Sequence, residues 1–577
     1  MADVSGIRAV LRAGAHARTR TRTTGASGAS GARAAGACAV GLALAGALAG
    51  CGAGEDERSG LGRPGGTLRI VGGADVEHLD PASASDVHAH GLNRVFARTL
   101  FATRSSNNFE ETLPVQADLA EQIPSRENGG ISKDGRTYTV RLRKDVRWNT
   151  SPARAVVAGD VVRGFKRLCN PAAPSGYRDH YIATIKGMES FCRGYAEVDD
   201  DDAEAMATYQ DEHSISGLKA TDDSTLVFRL TRPASDFLNI LALPSAAAAP
   251  EEYDRYVPDS RRFRRNIVSN GPYRIASYEP GRSYVLEHNP AWRADTDPLR
   301  ERFADRIQIT LGVDSADEVQ RRIEQGAADL SWDRPVPVPA IERLRGTAGF
   351  AIRQTPGTGP YLLVDVPDPR VRQALQYAVD RTALIAVFGG HEVARPLHTL
   401  IAPGNAGYFE HNPYPTPGDA GDPGRCRDLL AEAGHRNGPK LTLAHRDEHE
   451  KIAKAVRESL GDCGIEVTLR QKGGDLTLIS PDPDWYGLNG RSALAPLLDG
   501  HPDPRVGGLA EDALTARNTA RATGLWNQLD RLVMQNATVV PLVDRAWPIQ
   551  RSTRVRDALF LPSARTYDYT RLWLADT

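Results

Sequence analysis

The chain has 577 residues, of which 41% are hydrophobic and 25% charged, and its formal net charge is −2. This length is too great for one ordinary hydrophobic core and predicts two or three domains. The slightly acidic charge balance argues against a nucleic-acid partner.

The chain opens with a segment that is typical of a bacterial export signal. Arginines outnumber acids in its first part, and residues 34–50 then form an uncharged run, too short to span a bilayer. Residues 48–51 (Leu-Ala-Gly-Cys) have the form of a lipobox. We therefore predict a lipoprotein signal peptide at residues 1–50, lipidation of Cys51 and a flexible tether over residues 51–64. An ordinary signal peptide with an incidental cysteine is the alternative.

Four cysteines follow the tether: Cys169, Cys192, Cys426 and Cys463. An even number in an oxidising compartment favours disulfides, and no Cys-x-x-Cys spacing indicates a metal site. Four cysteines allow three pairings. Pairing of cysteines that are near in sequence closes the shortest loops and favours Cys169–Cys192 and Cys426–Cys463. Buried free thiols are the alternative.

The first predicted elements are a strand at residues 65–71 and a helix that ends near Leu100. Two β-hairpins are predicted further on, at residues 134–143 around an Asp-Gly turn and at residues 217–230. Alternating apolar residues predict one buried face on a strand of each hairpin. These faces consist of Tyr138, Val140 and Leu142, and of Leu226, Phe228 and Leu230.

A long helix is predicted over residues 368–388, where Asp368 can cap the first turn and Pro369 suits its first position. Its apolar face predicts a core contact rather than a binding site, and comprises Val371, Leu375, Ala378, Thr382 and Ile385. Helices and strands then alternate over residues 422–469, which predicts a parallel α/β sheet.

In this order, the motifs resemble the family 5 extracellular solute-binding proteins of ABC importers, the oligopeptide-binding class. The resemblance rests on Gly-Gly-Thr-Leu at residues 65–68, Leu-Asp-Pro at 79–81, Asp-Gly-x-Thr-Tyr-Thr at 134–139 and Asn-Gly-Pro-Tyr at 270–273. Its sharpest part is Val-Arg-x-Ala-Leu-x-Tyr-Ala-x-Asp-Arg at residues 371–381. The family implies an α/β, periplasmic-binding-protein-like fold (type II, cluster C) with two lobes and an extra subdomain.

The resemblance also implies the limits of these domains. The first lobe is expected to combine residues 65–102, 216–311 and 541–577. The extra subdomain is expected at residues 103–215, and the second lobe at residues 312–540.

Residues 480–490 follow a predicted buried strand and place a carboxylate beside two aromatic rings. A carboxylate suits a ligand ammonium group, and the rings can cover apolar side chains. In the family an aspartate near this place receives the amino terminus of a peptide, so Asp484 is the first candidate. The full set of candidates is Asp484, Trp485, Tyr486, Asn489, Asp482, Trp332 and Tyr361. A solvated loop with a satisfied aspartate is the alternative.

The family implies a non-enzymatic, monomeric protein, lipid-anchored on the extracellular face of the membrane, that captures oligopeptides or dipeptides and delivers them to an ABC permease. No cofactor or metal is expected. A sensory lipoprotein or an importer component for a non-peptide solute are the alternatives. A secreted hydrolase is the weakest hypothesis, because the exported part lacks His-Glu-x-x-His, Gly-x-Ser-x-Gly and Walker motifs.

Overall fold

The computed structural model describes residues 62–498 and 501–575. The predicted signal peptide, Cys51 and most of the tether lie outside the described residues. Among the helices that are described, none is long and apolar enough to cross a membrane. The described residues belong to one compact unit, which contains both lobes.

The first lobe is built on a five-stranded mixed sheet. Strand Thr67–Val71 runs parallel to both of its neighbours, and the strands at the far edge are antiparallel. Helix Val87–Phe96 packs into the same core, together with C-terminal residues such as Tyr567. The strand order is Leu330–Ser331, Thr67–Val71, Arg306–Thr310, Ser283–His288 and Tyr273–Glu279.

The second lobe contains a five-stranded sheet of its own. Its order is Glu466–Arg470, Lys440–Ala444, Leu476–Ile479, Tyr361–Val364 and Val539–Pro541. The first three strands are parallel, as the helix–strand alternation predicted. Helix Glu450–Asp462 connects the strands Lys440–Ala444 and Glu466–Arg470. Its helices are Pro369–Ala378, Arg381–Phe388, Pro423–Glu432, Glu450–Asp462, Ala495–Leu498, Pro504–Leu514 and Thr519–Asn536.

The extra subdomain packs helices on a three-stranded antiparallel sheet. Its strands are Thr137–Arg141, Thr225–Arg229 and Leu218–Asp222. Its helices are Ala158–Arg167, Arg178–Thr184, Met188–Tyr195, Ala203–Glu212 and Phe237–Leu241. A disulfide joins Cys169 to Cys192, as predicted, and closes the loop that contains the helix Arg178–Thr184.

Strand Val543–Gln550 crosses between the lobes. Val543 is buried in the core of the second lobe, whereas Ile549 is buried in that of the first. The strand pairs with Phe350–Gln354 and Ala394–Pro396, and Leu330 forms a bridge with Arg551 beside it. The remaining α-helices are Arg261–Arg264, Ala316–Glu324 and Val338–Leu344. Four short antiparallel strand pairs are Phe101–Thr103 with Val115–Ala117, Arg147–Trp148 with Arg154–Ala155, Val555–Arg556 with Trp573–Leu574, and Phe560–Leu561 with Thr566–Tyr567.

Two domain borders in the structure differ from the expected ones. The hairpin 218–229 pairs with strand Thr137–Arg141, so the extra subdomain does not end at residue 215. Strand Leu330–Ser331 pairs with Thr67–Val71, so the second lobe does not begin at residue 312. In both places backbone pairing between distant strands, which local patterns do not reveal, decides the border.

Two local predictions need correction. Strand Thr137–Arg141 follows the expected Asp-Gly turn, but its main partner is Thr225–Arg229 and not the segment before the turn. The helix predicted over residues 368–388 is two helices, because Val379 is extended and the Asp380 side chain accepts from Ala383 N at 2.9 Å. Thr382 is exposed in consequence and leaves the predicted apolar face.

The second predicted disulfide is also absent from the structure. Cys426 lies on helix Pro423–Glu432 and Cys463 follows helix Glu450–Asp462, and both are buried free cysteines. A hydrogen bond with Cys463 and burial raise the pKa of the Cys426 thiol, so the two thiols are neighbours. Both belong to the apolar core of the second lobe, where a thiol packs as a small apolar group.

Candidate functional site

The loop after strand Leu476–Ile479 reaches from the second lobe to the extra subdomain. Trp485 is only 6% exposed and belongs to the apolar core of that subdomain. Its indole Nε1 donates to Leu488 O at 2.7 Å, and Gly487, with φ of 83°, allows the chain to turn between them. The Asp484 amide donates to Ser492 Oγ at 3.3 Å. These contacts hold Asp484, Trp485 and Tyr486 at the boundary between the lobes.

The Asp484 carboxylate has a partner that the sequence did not reveal. His180 Nε2 lies 2.7 Å from Asp484 Oδ2, and the two side chains are 17% and 22% exposed. The His180 ring also contacts the Trp485 ring edge-on, at 5.2 Å between centroids. The only local signal for His180 is its place among tyrosines in the loop that the Cys169–Cys192 disulfide closes.

A cavity of about 810 Å³, open solvent at its mouth included, lies against this loop. Helix Val87–Phe96 forms one wall, and the turn Pro562–Ala564 forms another. Its lining consists of His90, Asn93, Arg94, Ala97, Thr99, Ala102, Thr103, Thr112, Asn239, Ala242, Leu243, Pro244, Arg300, Asp484, Trp485, Tyr486, Leu561, Pro562 and Ser563. This mixture of apolar surface and a few polar groups is typical of a small-molecule site.

The imidazole of His90 lines the cavity as a neutral group. Burial lowers the pKa of His90, which disfavours the charged ring. Its Nδ1 lies 3.1 Å from Ser563 O, so this nitrogen donates to the carbonyl. Nε2 lies 3.2 Å from the hydroxyl oxygen of Tyr177, and that hydroxyl donates to Ser85 O at 2.9 Å. Burial therefore favours the neutral form of this ring.

Three arginines and three aspartates form a buried ion cluster at the base of the cavity: Arg94, Arg98, Arg300, Asp118, Asp297 and Asp568. Arg98 pairs with Asp118 at 2.8 Å, and Arg300 pairs with Asp118 at 2.9 Å. Burial opposes ionisation of Asp297, but Arg300 and Arg98 hold its pKa below the ordinary value. Because the charges are equal in number, the arginines that line the cavity have anionic partners already.

Tyr486 and Asp482 make further contacts between the loop and the rest of the chain. The Tyr486 ring packs edge-on against Phe109 at 5.5 Å, and burial raises the pKa of its hydroxyl to about 12. Asp482 forms an ion pair with Arg565, whose guanidinium lies over the Trp547 ring at 5.3 Å. Asp482 therefore neutralises a protein cation and does not line the cavity.

The structure places the remaining candidates elsewhere. Trp332 lines a second cavity of about 750 Å³ beside strand Val543–Gln550, and its indole donates to Ala74 O at 3.0 Å. Tyr361 is buried in the second lobe, where its hydroxyl donates to Leu400 O at 3.1 Å. Asn489 is buried at the start of the turn that follows the loop, and it lines neither cavity.

Further contacts join the two sides of the cleft. Arg491 of the second lobe forms a bidentate ion pair with Asp236 of the extra subdomain, at 2.8 and 3.1 Å. Arg232 pairs with Glu511, and the Ser235 amide donates to Leu514 O at 3.0 Å. These contacts join the second lobe to the extra subdomain in this structure.

Comparisons with known proteins agree with this architecture. The sequence of the glutathione-binding protein GsiB of Shigella flexneri is 24% identical over 520 residues, which cover 82% of this chain and 88% of the relative. The dipeptide-binding protein DppE of Bacillus subtilis is 24% identical over 447 residues, covering 74% and 76%.

Solved structures confirm the two-lobed α/β fold of periplasmic binding proteins. Clavulanic acid biosynthesis oligopeptide binding protein 2 matches with a TM-score of 0.73 and 28% identity, covering 89% of this chain and 96% of that one. The Helicobacter pylori binding protein DppA, in complex with the peptide STSA, matches with a TM-score of 0.65 and 18% identity, covering 89% and 99%.

A family model decides the assignment. It describes the bacterial extracellular solute-binding proteins, family 5 (middle), and it matches residues 115–488, which is more than half of the chain. Members of this family bind solutes for transport and are not enzymes. This chain belongs to the bacterial extracellular solute-binding proteins of family 5.

Proposed function

We propose that this protein is the substrate-binding component of an ABC importer and that its ligands are short peptides. The observation that carries the proposal is the cavity at the cleft, which the loop of Asp484, Trp485 and Tyr486 borders from the second lobe. A ligand in this cavity would touch both sides of the cleft at once. Binding would therefore favour the closed form.

The chemistry of the loop supports a peptide ligand. A carboxylate can accept several hydrogen bonds, so a peptide ammonium can share Asp484 with His180. The rings of Trp485 and Tyr486 offer apolar surface to side chains of varied shape. The names of relatives point the same way, since one binds dipeptides and another binds glutathione, itself a peptide derivative.

Delivery follows from closure. The lobes would move about strand Val543–Gln550, which crosses between them, and the closed form would dock on a membrane permease. The pairs Asp484–His180 and Arg491–Asp236 would form at each closure and separate at each release. Lipidation of Cys51 would keep the protein at the extracellular face of the membrane, near its permease.

Mass spectrometry of bound ligand tests this function. The protein is purified natively and then denatured, and the released molecules are identified. We expect a mixture of short peptides from the natural sequence and from Asp428→Ala, which changes an exposed aspartate that does not line the cavity. We expect an empty protein from Asp484→Ala. Release of one defined non-peptide solute would overturn the peptide assignment.

A further inference from the structure

Among the buried polar side chains that line the cavity, that of Asn93 differs from the others because its amide has no hydrogen-bond partner. The residue is 2% exposed, and neither Nδ2 nor Oδ1 has a hydrogen-bond partner among residues 62–498 and 501–575. Leaving a buried amide unpaired costs folding free energy. A group of this kind calls for an explanation, and water or a ligand in the adjacent cavity supplies one.

The position of Asn93 on its helix favours a ligand as the missing partner of its amide. His90, Asn93, Arg94 and Ala97 all line the cavity and have the spacing of one helical face at the wall formed by Val87–Phe96. The other two polar side chains on this face, His90 and Arg94, already have hydrogen-bond partners. His90 lies against Ser563 O and the Tyr177 hydroxyl, and Arg94 donates to Asp568 at 3.1 Å. The Asn93 amide therefore remains available for a ligand on this wall.

The chemistry of an amide narrows the class of ligand group. The side chain of asparagine presents one acceptor and one donor side by side and has no charge. In an extended peptide, the N–H and C=O of the same residue point to the same side, as they do when two antiparallel strands exchange a pair of hydrogen bonds. The asparagine amide can satisfy both groups of one such residue.

We propose that Asn93 binds the main chain of one extended residue of a bound peptide, through one accepted and one donated hydrogen bond. This inference rests on the proposed peptide-binding function. It assigns the ammonium group and the main chain of the ligand to opposite walls of the cavity, Asp484 in the second lobe and Asn93 in the first. Because neither contact involves a ligand side chain, the site would accept many peptide sequences.

The test begins with an equimolar mixture of tripeptides and native mass spectrometry. We expect Asn93→Ala to weaken binding of all members by a similar factor of about tenfold or more, the loss that two hydrogen bonds imply. The control Asn437→Ala changes an exposed asparagine and should bind as the natural sequence does. We expect the melting temperature of ligand-free Asn93→Ala and Asn93→Leu to stay the same or rise, because each removes an unpaired buried amide.

A double-mutant cycle then isolates the contact. The tightest tripeptide of the mixture is compared with its two forms that carry one N-methylated peptide bond. The natural sequence should lose about tenfold for one of these forms, and Asn93→Ala should bind that form and the parent peptide equally.

The outcomes separate the two proposals. If the natural sequence binds no tripeptide, the peptide function is overturned and this inference falls with it. If it binds tripeptides and Asn93→Ala binds them as tightly, the role of Asn93 alone is overturned. Equal losses for both methylated peptides in both proteins would also overturn it.

Discussion

The imidazole of His180 and the carboxylate of Asp484 meet at 2.7 Å across the cleft, although 304 residues separate them in the chain. His180 belongs to the disulfide-closed loop of the extra subdomain, and Asp484 to the loop that borders the cavity. The pair therefore links a ligand candidate to the closure of the lobes.

Replacing His180 by alanine should weaken the closed form. The change removes a hydrogen bond to a carboxylate and a ring contact with Trp485, so affinity for the tripeptide mixture should fall about tenfold. Calorimetry measures the affinity, and small-angle scattering should show a larger radius of gyration. The control His435→Ala changes an exposed histidine. Unchanged affinity and scattering in His180→Ala would contradict a role in closure.

The buried pair of Arg491 and Asp236 gives a second prediction about closure. Its side chains are 10% and 1% exposed, and lysine cannot reproduce the two parallel hydrogen bonds of the guanidinium. Arg491→Lys should lower ligand affinity about tenfold or more, while its circular dichroism spectrum stays native. The matched change Arg293→Lys, in an exposed pair with Asp295, should have no effect. A similar affinity for both variants would refute the prediction.

The disulfide between Cys169 and Cys192 should stabilise the extra subdomain. The chain-entropy model gives about 3 kcal/mol for a loop of this size, whose ends are 23 residues apart. Dithiothreitol should therefore lower the melting temperature of the natural sequence. It should leave the melting temperature of the Cys169→Ala/Cys192→Ala variant unchanged. Insensitivity of the natural sequence to reductant would argue against the bridge.

The free thiols of Cys426 and Cys463 can be counted directly. A protein that begins at residue 62 is unfolded without reductant and then alkylated. Mass spectrometry should find the label on Cys426 and Cys463 and none on Cys169 and Cys192. Protection of all four would restore the second disulfide that the sequence predicted.

Asp530 should make stability depend on pH. Burial raises its pKa to about 6, although the amides of Ile401 and Leu400 donate to it. A raised pKa in the folded state means that the folded protein binds the proton more tightly than the unfolded chain. Its contribution is therefore present below about pH 4 and is lost as the pH rises through 6, which amounts to roughly 3 kcal/mol.

Urea unfolding at pH 4.5 and pH 7.5 checks this sign. In Asp530→Asn the fall in unfolding free energy between the two values should be smaller than in the natural sequence. Asp428→Asn, at an exposed site, should keep the natural dependence. Identical pH dependence in all three proteins would show that Asp530 does not titrate in this range. Asp544, whose pKa burial also raises to about 6, remains in every variant as a constant background.

Much of the local structure followed from neighbouring residues. Asp368 caps its helix by accepting from Arg370 N at 2.8 Å, and Asp422 caps the helix that carries Cys426. The alternating residues Leu226 and Phe228 are fully buried, as their spacing predicted. These features depend on contacts within a few positions, so they can be predicted from the local sequence.

The sequence by itself determined the order of the elements, the family and the loop of Asp484, Trp485 and Tyr486 in the candidate site. Only the tertiary structure decided that His180 and Asn93 accompany that loop, that Tyr361 belongs to a core and that residues 330–331 belong to the first lobe. The physical reason is that closure and strand pairing join residues hundreds of positions apart. No local periodicity records which side chains will meet across a cleft.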